Sequence, residues 1–208
     1  MSFRRFHRTI VLAIPLLFAA GSASAHHMMG GRTPSTFAEG LLSGLGHPVI
    51  GIDHLAFLIA VGIVVGIGGL NLALPVVFVA ASALGVATHV YGVTVPAPES
   101  IVALSVLLVG LLIARGHTLS GWAWGGLFAL AGLFHGYAYG ESIFGAETSP
   151  LEAYLLGLVV VQSTLAVGIA LIVRRSHIGV AALAPRLLGA AIAGAGIAVL
   201  MGQIIPGA

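Results

Sequence analysis

HPVIGIDHLAFLIAVG, residues His47–Gly62, opens an apolar run with two histidines and an aspartate in its first eight positions. No charged side chain follows Asp53 before residue 68, so the segment is about as long as the roughly 20 residues that cross a hydrocarbon core. A carboxylate two turns inside such a segment costs at least ~2.5–3.5 kcal/mol if it meets lipid. Asp53 must therefore face protein, and a single helix offers none. The reading that accommodates Asp53 is a bundle of several helices with a polar interior.

The rest of the chain supplies those helices. Of its 208 residues 59% are hydrophobic and 7% charged, against about 45–50% and about 25% in soluble domains. Apolar segments lie at approximately 48–68, 72–95, 100–115, 120–140, 151–173 and 180–204. The expected fold class is all-α, a polytopic transmembrane bundle of six helices over residues 47–208. Thirty glycines suit close helix contacts in lipid, and Gly62-x3-Gly66 and Ala190-x3-Gly194 are the contact patterns that stand out.

Residues 1–25 have the layout of a secretory signal peptide, with Arg4, Arg5 and Arg8, an apolar core and Ala23-Ser24-Ala25 before the cleavage point. The alternative, an uncleaved helix, is disfavoured by an apolar core of only about 12 residues. Cleavage makes His26 the mature terminus and residues 26–46 a short periplasmic segment, GGRTPSTFAEG reading as a polar linker. The loops at 115–119 and 174–179 then fall in the cytoplasm with Arg115, Arg174 and Arg175, and Arg186 follows close by. Every glutamate falls on the other side. This obeys the positive-inside rule and places the chain in a bacterial inner membrane.

Several functions are excluded. With no cysteine there is no disulfide, thiolate metal site or thiol nucleophile. All eight basic residues are arginine, so a GxxxxGK[ST] phosphate loop is absent. A net charge of +2 without a basic stripe gives no footprint for nucleic acid. His-x-Glu-x-x-His and serine-nucleophile motifs are missing, and Ser82, Ser105 and Ser163 have no paired base in sequence, so no enzyme is expected.

The remaining signal is histidine at one depth. His47 stands at the outer mouth of the first segment, with Asp53 and His54 about 9–11 Å further in. His89 and His135 fall in the outer parts of the second and fourth segments. Taken singly, an intramembrane histidine more often bonds a neighbouring helix than a metal. Together, imidazole and carboxylate without sulfur are donors for nickel, cobalt or zinc rather than copper(I). On a regular helix His47 and His54 are two turns, about 10.8 Å, apart and would be successive stations. Asp53 and His54 point about 100° apart, so each needs partners from another helix, for which His89 and His135 are the candidates. His26 and His27, with Met28 and Met29, offer a collecting site at the mature terminus, and Glu141 an acidic lure toward His135. His tracts and loop glutamates also occur merely as solvated groups. Tyr137 and Tyr139 are placed to line the pathway near His135.

HPVIGIDHLAFLIAVG resembles the HPxxGxDH signature of the HupE/UreJ family of membrane proteins, and GLFHGYAYGE resembles its second motif, FHGxAxGxE. The likeness runs from about residue 40 to the end, and HHMMGGRTP is similar to the mature start of cyanobacterial-type members. The resemblance implies a nickel or cobalt permease that supplies hydrogenase or urease, with the ion as cargo and no tightly bound cofactor. It carries over His47, Asp53, His54, His135 and Glu141 as motif positions. Tyr137 and Tyr139 depart from it, standing where many relatives have histidine, as does Gln162-Ser163-Thr164 in the fifth segment. Implied partners are the divalent ion, the bilayer and metalloenzyme maturation proteins; self-association is left open. The rival reading is an accessory protein that binds or senses metal and hands it on without transport.

Overall fold

A computed structural model describes residues 32–205. The expected signal peptide and the histidines His26 and His27 lie outside the described residues. Seven helices and no strands make up the described chain: α1 (Phe37–Ile50), α2 (Ile52–Ile67), α3 (Ala73–Val90), α4 (Pro98–Ala114), α5 (Gly121–Glu141), α6 (Thr148–Arg175) and α7 (Leu183–Ile204).

The six expected segments reappear as α2 to α7, and the additional helix lies in the stretch read as a linker. Thr36 caps α1 by accepting the Glu39 N–H at 3.2 Å, while the Glu39 carboxylate accepts the Ser35 N–H at 2.8 Å and the Ser35 hydroxyl at 2.9 Å. Thr-x-x-Glu is a capping-box pattern, and it starts the helix ten residues before the apolar segment does. Alone, α3, α6 and α7 are long and apolar enough to cross a membrane; α1 and α2 pass that test as a pair, bent by 76°. The 17-residue α4 is apolar but shorter. In α5, six glycines, two tryptophans, two tyrosines and a histidine dilute the hydropathy.

The bend has a local cause. Pro48 has no N–H to give the Gly44 carbonyl, which weakens the last turn of α1. Gly51 then turns extended (φ −69°, ψ 111°), ending α1 by donating to His47 O and starting α2 by accepting from Leu55 N–H at 2.9 Å.

Apolar area cannot drive helices together in lipid, so close backbone approach does. Glycines mark three seams. In the first, α6 runs parallel to α1 and α2: Gly40 and Gly44 lie against the backbone of Pro150 and Tyr154, Gly62 against Ala166 and Ile169, and Gly66 against Ala170 and Val173. The second joins α3 and α5, also parallel, where Gly132, Gly136 and Gly140 meet Phe78, Ser82 and Val86. The third is antiparallel, Gly110 of α4 against Gly189 and Ala193 of α7. Gly62-x3-Gly66 is thus a true contact. Ala190-x3-Gly194 is not: Ala190 is exposed and nothing lies within 4 Å of a Cβ at Gly194, the seam of α7 running one residue earlier.

These pairings place Glu39, Glu99, Glu141, Glu147 and Glu152 toward one end of the bundle and Arg115, Arg174, Arg175 and Arg186 toward the other. Two of the arginines cap helix ends. Arg174 donates to Leu70 O just past α2, and Arg186 donates to Ala114 O of α4 at 3.0 Å. A cation suits a helix C-terminus, where carbonyls lack intrahelical partners.

Candidate metal site at the helix break

The break between α1 and α2 folds His47 back onto His54. Their ring centroids are 5.8 Å apart, edge to face, so the two are neighbours rather than the separate stations of a regular helix. Both are buried, as is Asp53. Asp53 stands in the first turn of α2, where the helix dipole favours an anion, and its Oδ1 accepts the His54 N–H at 2.8 Å. Gly51 leaves room beside them: a Cβ there would lie 2.7 Å from His54 Cδ2 and 3.2 Å from Asp53 Oδ1.

Hydroxyl groups determine where the imidazole protons sit. Ser105 on α4 stands 2.7 Å from Val102 O, a carbonyl that can only accept, so its one proton is spent there. At 3.0 Å from His135 Nε2, Ser105 must then accept, which puts the His135 proton on Nε2. In neutral His135, Nδ1 is an acceptor, and its 2.9 Å contact with His54 Nδ1 makes His54 the donor. Tyr154 on α6 repeats the logic. Its hydroxyl donates to Tyr139 O at 2.8 Å and so accepts from His47 Nδ1 at 2.9 Å. His47 and His54 therefore both carry a proton on Nδ1, held there by a partner on another helix, the arrangement by which an outer partner orients a ligating imidazole.

His135 has both nitrogens engaged in this chain and stands behind His54, completely buried against Phe57 (4.5 Å) and Phe78 (5.8 Å). His89 does not join the cluster. It packs against Tyr137 at 4.5 Å and Phe144 at 5.6 Å, with its Nδ1 lacking a hydrogen-bond partner among the described residues. Glu141 is exposed at the end of α5. In FHGxAxGxE one residue separates the second glycine from the glutamate; here Glu141 follows Gly140 directly, and the buried Ser142 holds the next position. Among the described residues no three His, Asp or Glu side chains stand together as a closed ligand set.

The two tyrosines of the second motif separate. Tyr137 is architectural: its hydroxyl donates to Val93 O at 2.8 Å and accepts Val95 N–H at 3.1 Å, tying the α3–α4 loop to α5. Tyr139 enters the site, 4.2 Å from the His54 ring and 5.0 Å from His47. Sequence reasoning missed Tyr154 and gave Ser105 no role. Nothing marked either in advance, since each acts through a partner on another helix. Gln162, noted only as a departure, is buried with its amide N–H on Ser82 Oγ at 3.3 Å and its Oε1 unpartnered among the described residues.

Apolar helices seamed by glycine around a buried histidine network define a polytopic helical membrane protein. A family model described as HupE / UreJ protein matches residues 14–199. Protein HupE of Rhizobium leguminosarum bv. viciae is 32% identical over 168 residues, 79% of this chain and 86% of its own. The chain belongs to the HupE/UreJ family. No solved structure matches it.

Proposed function

We propose that the protein is a membrane permease for a divalent transition-metal cation, nickel or cobalt, supplying hydrogenase or urease maturation. The observation that carries this reading is the pair of buried imidazoles His47 and His54, brought together by the helix break beside the buried Asp53, with each Nδ1 held by a partner on another helix. Asp53 supplies the negative charge that a dication needs in a buried site. His135 acts by holding His54 in its tautomer. The glutamate end faces the periplasm and the arginine end the cytoplasm of the inner membrane, as the positive-inside rule requires. His26 and His27 collect ions, Glu141 attracts them from the surface, and His89 serves as an approach group beside Tyr137. A potential of ~100 mV contributes about 4.6 kcal/mol to inward movement of a dication.

Uptake of labelled nickel into vesicles containing the purified chain tests this. Asp53→Ala and His54→Ala should each abolish uptake while the protein still folds; uptake equal to that of the unaltered chain refutes the assignment. A second reading, a metal-binding accessory protein without transport, is favoured by the closely packed aromatic rings beneath His135. Nickel binding without uptake identifies it.

A further inference from the structure

We propose that Tyr139 is a further residue of the ion site, its phenol oxygen accepting a hydrogen bond from a water that the divalent cation retains when His47 and His54 bind it. This rests on the metal-binding reading above. Tyr139 is in ring contact with both imidazoles, at 4.2 Å from His54 and 5.0 Å from His47. It is completely buried, and its hydroxyl has no hydrogen-bond partner among the described residues.

A buried tyrosine hydroxyl ordinarily finds a partner, because leaving it unsatisfied forfeits the bonds it made in water. The other hydroxyls of the histidine network, and His135, are already engaged. Tyr154 gives its proton to Tyr139 O and receives that of His47; Ser105 gives to Val102 O and receives that of His135; His135 uses both nitrogens. The Tyr139 hydroxyl is a buried polar group without a hydrogen-bond partner among the described residues, on a ring packed against the two imidazoles expected to bind the ion. Two imidazoles and one carboxylate do not complete the shell of a six-coordinate ion, so water remains on it. Water on a dication is a strong hydrogen-bond donor, and it needs an acceptor of the kind the phenol oxygen provides.

The test compares the full chain with Tyr139→Phe, which removes the oxygen and keeps the ring, in detergent micelles titrated calorimetrically with nickel chloride. Tyr139→Phe should bind nickel about tenfold more weakly, the loss of one hydrogen bond to a charged centre. The melting temperature of the metal-free variant should be unchanged or higher, since the hydroxyl has no protein partner to lose. Nickel affinity within twofold of the unaltered chain overturns the proposal. So does a lower metal-free melting temperature, which would show that the hydroxyl serves the fold. Absence of nickel binding by the unaltered chain defeats the metal reading itself, and this proposal with it.

Discussion

Tyr154→Phe offers the sharpest check on the proton bookkeeping at the helix break. The substitution removes one oxygen that accepts from His47 Nδ1 at 2.9 Å and donates to Tyr139 O at 2.8 Å. Tyr139 O loses little, because it also accepts the Ser142 N–H at 3.3 Å. His47 Nδ1–H loses the partner that fixes its tautomer in a buried site, a loss of about 1–3 kcal/mol of stability. Without the Tyr154 hydroxyl to hold its Nδ1 proton, His47 should also lose nickel affinity by roughly 10–100-fold, as when the outer partner of a ligating histidine is removed. Thermal melting in micelles reads the first effect and calorimetric nickel titration the second. Both should fall together, in contrast to Tyr139→Phe, where only affinity should fall. Nickel affinity unchanged in Tyr154→Phe would refute the argument that this hydroxyl orients His47.

The remaining expectations concern packing, space and caps. Gly189→Ala puts a Cβ onto the backbone of Ala114 and Gly110 and should destabilise the bundle by about 1–3 kcal/mol, whereas Gly194→Ala meets nothing within 4 Å and should be neutral or slightly stabilising; equal melting temperatures would disprove the α7 seam. Gly51→Ala should leave the fold intact but displace the His54 ring, whose Cδ2 would lie 2.7 Å from the new carbon, and weaken nickel binding by about tenfold in the same titration. Arg174→Ala should destabilise the protein by about 1–2 kcal/mol by uncapping the end of α2; an unchanged melting temperature would show that water replaces the guanidinium there.

The all-helical architecture was legible in the sequence because lipid permits so few alternatives. A carboxylate at Asp53 demanded shielding, and apolar length located α2 to α7 to within a few residues. Hydropathy could not find α1, which is amphiphilic and short; Thr36-x-x-Glu39 could have, but a capping box beside glycine and proline reads as a linker. The site was legible as residue types and illegible as geometry. His54 follows His47 by seven positions, about two turns of a regular helix, and only the combined effect of Pro48 and Gly51 converts that separation into contact. His89 failed to join His54 because equal depth does not imply a common helix face: α3 presents it to Gly140 and Tyr137 of α5. Ser105 and Tyr154 matter through single protons, which no spacing pattern encodes.

From the site inward, aromatic rings follow one another without a break. Phe57 lies against His135 at 4.5 Å, Phe78 at 5.2 Å and Phe128 at 6.4 Å; Phe128 in turn lies 5.5 Å from Trp124. Trp124 lines a cavity of about 130 Å³ at the arginine end, alongside Ile67, Ile113 and His117. The three phenylalanines are wholly buried, so the polar site and that cavity are separated by packed hydrocarbon. Desolvating a single charge in such a medium costs several kcal/mol, and a dication more, which exceeds the about 4.6 kcal/mol that ~100 mV supplies. Potential alone therefore cannot drive an ion through this packing. Transport requires the rings to part while the ion keeps ligands or water, and the two functional readings differ on that step: a permease opens the aromatic layer, whereas an accessory protein holds it shut and hands the ion to a partner without transport.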